Sequence, residues 1–160
     1  MIINTCSGAI SFAKELENES AKFYKDLSER YSKDQDLFLS FAKENGEYMI
    51  QIERAYYGVI TDAIEGCFAF NINPEDYALK TELTGSGDYS EAVGRAIEIE
   101  EKIIKFYSDA AEQSKSLMAD VPRAFKMVVK RRGNRLSALK SLLPPHPPFS
   151  PQGRGEKGGV

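Results

Sequence analysis

With 160 residues, 42% of them hydrophobic, the chain is long enough for one domain with a sizeable core and too apolar for wholesale disorder. No apolar run reaches the ~18–20 residues needed to cross a bilayer, and no basic segment followed by an apolar core marks a secretion signal. Cys6 and Cys67 are too few for a disulfide framework, neither belongs to a CxxC pair, and a single histidine excludes most His-rich metal sites. The expectation is a cytoplasmic protein with no membrane partner. Its net charge of −3 hides an asymmetry: from Val121 onward nine basic residues face one acid, Glu156, leaving −11 on residues 1–120. Charge complementarity between neighbouring helices is the plainer reading of this split, and an acidic partner or nucleic acid the sharper one.

Four long segments carry apolar residues at helical spacing, and none shows the alternation of a strand. The first runs from about Ser7 to Tyr31, with Ile10, Ala13, Glu17, Ser20, Tyr24 and Leu27 on one stripe. The second begins after Asp34, a residue of N-capping type, and continues to about Ile64; its stripe holds Phe38, Phe41, Asn45, Tyr48, Met49 and Ile52. The third starts near Ser90 and aligns Val93, Ala96, Glu100, Ile103, Tyr107 and Ala111. The fourth starts near Asp120, tolerates Pro122 in its first turn, and aligns Phe125, Val128, Arg132, Arg135 and Leu139 until Pro144-Pro145 ends it.

Residues 66–89, between the second and third segments, form a connection much longer than joins adjacent helices directly. The chain also repeats itself. Glu17–Tyr24 matches Glu100–Tyr107 at an offset of 83, and Phe38–Tyr48 matches Phe125–Arg135 at an offset of 87, with Gly46 over Gly133. The predicted architecture is therefore all-α: an antiparallel four-helix bundle of ferritin-like topology over residues 1–143, two repeated helix pairs joined by a long crossover. Residues 144–160, rich in Pro and Gly and containing His146, are predicted to be a disordered tail.

All four stripes are broken by polar residues at equivalent places: Glu17, Asn45 with Tyr48, Glu100, and Arg132 with Arg135. Burying an unpaired charge costs several kcal/mol, so these interruptions call for a reason. The pairs 45/48 and 132/135 are three apart and share a helix face, the spacing of a Glu-x-x-His motif. One inward Glu on two helices and Glu-x-x-His on the other two make a carboxylate-bridged di-metal site.

On these residues, and above all on Glu-x6-Tyr at Glu17/Tyr24 and Glu100/Tyr107, the chain resembles the rubrerythrin branch of the ferritin-like superfamily over residues 7–143. The resemblance implies a di-iron oxidoreductase that reduces peroxide or oxidises iron. It makes Glu17 and Glu100 metal ligands, with Tyr24 and Tyr107 orienting them. The sequence departs from that pattern where both Glu-x-x-His motifs should stand, at Asn45/Tyr48 and Arg132/Arg135. Two carboxylates facing two guanidiniums are neutral without metal, so Arg132 and Arg135 are expected within ion-pair distance of Glu17 and Glu100. The first expectation is thus a metal-free bundle acting as a helical binding or assembly module, with no catalytic residues and no cofactor. The alternative is a working iron enzyme using Glu17, Glu100 and irregular ligands such as Glu44.

Weaker signals remain. Leu16, Phe23, Ile99 and Phe106 form a second apolar strip on helices one and three; it packs on a neighbouring helix or the crossover, or it is a homodimer surface. Arg123, Lys126 and Lys130 give helix four a basic outer face, but no aromatic interleaving favours nucleic acid. Gly46 and Gly133 point to close packing or a kink.

Overall fold

The computed structural model describes residues 1–59, 69–83, 87–116 and 120–144. The predicted tail, with His146, and Cys67 fall outside them apart from Pro144. The described chain is all-helical, with α1 at Cys6–Arg30, α2 at Gln35–Val59, α3 at Tyr89–Gln113 and α4 at Asp120–Ser141, and one short 3-10 turn at Pro74–Tyr77. No strand occurs among the described residues; the one β-type pairing is an isolated bridge between Ile3 and Ile72.

Local chemistry sets the helix boundaries. Thr5 caps α1, its hydroxyl accepting from the Gly8 amide at 3.0 Å, and a Cβ at residue 8 would press on Ile3 and Thr5 at 3.0 Å. Helix α3 starts at Tyr89, close to the expected Ser90, and its cap is Asp88: the carboxylate accepts from the Glu91 amide at 2.8 Å, and its charge suits the positive end of the helix. Asp34 occupies the expected position before α2, its carbonyl accepting from the Phe38 amide at 3.1 Å. Its side chain does something else. With φ at 62° it turns away from the helix and accepts the hydroxyl of Tyr89, tying the α1–α2 turn to the start of α3. Helix α4 ends at Ser141, and Leu142 and Leu143 continue as a tightened turn partly buried against the core.

The helices pack in pairs, α1 with α2 and α3 with α4, and α2 also meets α4 while α1 meets α3. Partner numbers run in opposite senses. Along α1, Lys14 pairs with Glu53, Ser20 with Asn45 and Tyr24 with Phe38 of α2. Against α3, Phe12 meets Phe106, Tyr24 meets Glu100 and Tyr31 meets Tyr89. Against α4, Glu100 meets Arg132 and Tyr107 meets Phe125.

The second apolar strip is covered within the chain. Leu16, Phe23, Ile99 and Phe106 are all buried. The crossover lies over them: Tyr77 packs edge-on against Phe12 and Phe106 and donates its hydroxyl to Asp109 at 2.6 Å. Ala78 and Leu79 line one surface cavity together with Ile99, and Thr81 and Leu83 line another with Phe23. The packing alternative accounts for these four residues. Burying each large side chain here contributes on the order of 2 kcal/mol, which pins the crossover to α1 and α3.

Gly46 and Gly133 permit no close packing. A Cβ at either position would have nothing within 4 Å, and neither has positive φ. Gly46→Ala and Gly133→Ala should therefore each raise stability by about 0.5–1 kcal/mol, read from urea unfolding midpoints, through helix propensity and a less flexible unfolded chain.

Candidate functional site

The stripe-breaking polar residues converge. Glu17 from α1, Asn45 and Tyr48 from α2, Glu100 from α3, and Arg132 and Arg135 from α4 are all at most 3% exposed. Each sits on the inward face because its apolar neighbours at helical spacing orient that face to the core.

Arg132 is the centre of the cluster. Its Nη2 donates to Glu17 Oε1 and its Nη1 to Glu100 Oε1, both at 2.6 Å. Nη2 also donates to Asn45 Oδ1 at 2.8 Å. The remaining carboxylate oxygens are taken by tyrosines from the opposite repeat: Tyr24 donates to Glu100 Oε2 at 2.5 Å, and Tyr107 to Glu17 Oε2 at 2.7 Å. Each copy of Glu-x6-Tyr thus supplies a carboxylate to one half and a hydroxyl to the other. Asn45 completes the network, its carbonyl accepting from both arginines and its amide donating to Ser20 Oγ at 3.4 Å.

Arg135 meets the expectation for Glu100 and not for Glu17, and makes its hydrogen bonds elsewhere. It lies 3.7 Å from Glu100 without a hydrogen bond, and its fork donates instead to Asn45 Oδ1 at 3.0 Å and to the Phe41 carbonyl at 3.2 Å. Its guanidinium carbon stands over the rings of Phe41 at 4.5 Å and Tyr24 at 5.0 Å. Only Arg132 bridges both carboxylates. Ser20 was visible beforehand as a polar residue on its stripe; the Phe41 carbonyl had no sequence signal, since every residue carries one. Glu44 stands at the rim with its side chain 39% exposed, accepting from Tyr48 Oη at 3.2 Å.

The electrostatics follow from this geometry. Burial alone would raise the Glu100 pKa, but Arg132, Arg135 and the Tyr24 hydroxyl outweigh it and hold the carboxyl below its ordinary value. Burial works against the charge on Arg132 too; Glu100 and Glu17 overcome it and hold its pKa well above the ordinary value. Burial, then the neighbouring carboxylate, pushes Tyr24 and Tyr107 well above the usual tyrosine range.

A depressed Glu100 pKa adds stability above the unfolded value of about 4.3, and that stability is lost as pH falls through the folded value. A raised tyrosine pKa has the opposite edge: its contribution is complete below about pH 10 and is lost at higher pH, where the unfolded chain ionises first. Thermal melts should therefore show a plateau falling away on both sides. Tyrosinate absorbance should show Tyr24 and Tyr107 ionising only as the fold opens.

This cluster does not fit two divalent metal ions. Every carboxylate oxygen of Glu17 and Glu100 already has a donor, and the space between them holds a guanidinium. Asn45, Arg132 and Arg135 add no anionic donor, and fixed cations repel Fe²⁺ in a low-dielectric site. Among the described residues no group of three or more His, Cys, Asp and Glu side chains is gathered to hold a metal.

On the outer face of α4, Arg123, Lys126 and Lys130 are exposed, with Arg123 paired to Asp120 at 3.2 Å. No helix among the described residues is long and apolar enough to cross a membrane. The chain matches no protein-family model, and no curated protein or solved structure is significantly similar to it.

Proposed function

We propose that the chain is an antiparallel four-helix bundle of ferritin-like topology, related to the rubrerythrin branch, whose di-iron centre has been replaced by a buried arginine–glutamate network. It acts in the cytoplasm as a metal-free helical binding or assembly module. The observation that carries this reading is Arg132 bridging Glu17 and Glu100 at 2.6 Å on each side, where a bridging metal pair would stand. Three features support the descent: the opposite senses of the paired helices, the repeat with its long crossover, and the exchange of tyrosine hydroxyls between the two halves. Neutrality makes the network self-sufficient, since two guanidiniums balance two carboxylates and the planar fork of Arg132 reaches one carboxylate with each terminal nitrogen.

Activity provides the test. Supplied with Fe²⁺ and peroxide, the purified protein should neither consume peroxide nor oxidise iron faster than a protein-free control. Turnover above that control, abolished by Glu17→Gln, would establish the iron enzyme instead.

A further inference from the structure

A groove of about 310 Å³ opens between α2 and α4, lined by Phe41, Glu44, Tyr48, Arg131, Arg135 and Ala138. Its floor is Arg135, 97% buried, whose Nε–H has no hydrogen-bond partner among the described residues. A buried charged donor without a hydrogen bond is costly; Arg132 Nε shares this lack, but only Arg135 lines the groove, where its Nε can be offered an acceptor. Arg131 stands exposed on the rim and forms no ion pair with any described residue.

The protein's own carboxylate only half fills this slot. Glu44 Oε1 lies 3.9 Å from Arg135 Nε, too far to hydrogen-bond, and is held there by the Tyr48 hydroxyl. With 39% of its side chain exposed, Glu44 has solvent to turn into, at the cost of the Tyr48 hydrogen bond and its ion pair with Arg135. The rings of Phe41 and Tyr48 flank the Arg135 guanidinium, so the groove offers apolar wall beside cationic floor.

We propose that this groove binds a small organic monocarboxylate. Its carboxylate takes the place of that of Glu44 between Arg135 and Arg131, and its apolar body lies on Phe41 and Ala138. A carboxylate matches the arginine fork, and the apolar wall gives no reason to prefer an inorganic oxyanion. The inference rests on the groove alone and stands whether or not the bundle descends from an iron protein.

Calorimetric titration with benzoate, acetate and inorganic phosphate, at ionic strength matched with sodium chloride, tests it. Benzoate should bind saturably, and more tightly than acetate or phosphate. Glu44→Gln removes the competing charge and should tighten benzoate about fivefold or more, since like charges ~4 Å apart oppose each other by about 1 kcal/mol even in water. Arg131→Ala should weaken binding by a similar factor. Both substitutions lie at the exposed rim, so the fold survives them. Absence of saturable binding, equal affinity in all three proteins, or phosphate binding as tightly as benzoate would overturn the proposal.

Discussion

Arg132→Met should cost about 3–5 kcal/mol of stability, read from urea unfolding followed by circular dichroism, because it leaves two buried carboxylates without their cation. In a domain whose whole stability is about 5–15 kcal/mol, that loss brings the fold close to its limit. The volume change is small, so the loss is not a cavity effect. An exposed pair such as Arg95–Glu98, at 3.2 Å on α3, would cost under about 1 kcal/mol when broken. The pH dependence identifies the mechanism. Without Arg132 the Glu100 carboxyl loses the largest charge opposing its burial and keeps only Arg135 at 3.7 Å and the Tyr24 hydroxyl, so its folded pKa moves upward. The stability that Glu100 contributes at neutral pH in the unaltered chain is then reduced, and the reduction is smaller at low pH. The deficit of the variant should shrink between pH 7 and pH 5. Adding Glu17→Gln and Glu100→Gln should recover most of the loss at pH 7.

The second large effect is a gain. Asn45→Glu, Tyr48→His, Arg132→Glu and Arg135→His together place four carboxylates and two imidazoles on the inward faces. Four carboxylates balance two divalent cations, so this variant should bind two iron ions if the proposed descent holds. Without metal it should melt well below the unaltered chain, since like charges crowd a dry site. Added divalent metal should restore about 2.7 kcal/mol once its concentration reaches a hundred times the dissociation constant. A variant that folds yet gains nothing from metal would count against the descent.

Much of this was legible in the residues. The stripes located four helices because burial demands a continuous apolar face, and the same logic exposed Glu17, Asn45, Glu100 and Arg132 as interruptions needing partners. Helix starts were less legible: Asp88 and Ser90 both suit a cap, and only the backbone decides between them. Arg135 shows a different limit. Its position on the inward face followed from spacing, but a long side chain chooses its partner by reach, and it found Asn45 and a main-chain carbonyl ahead of a carboxylate. The exchange of Tyr24 and Tyr107 between repeats depends on how α1 lies against α3, which no single helix pattern encodes. The second strip shows its spacing in the sequence, but what covers it depends on the path of the crossover, whose Tyr77 packs on Phe106.

Iron bound per chain is the most direct measurement. After anaerobic incubation of the unaltered protein with excess Fe²⁺ and desalting, elemental analysis should find no stoichiometric metal, because Arg132 already holds the place between Glu17 and Glu100. Two iron ions per chain, with the ultraviolet absorption of an oxo-bridged pair after exposure to air, would contradict it.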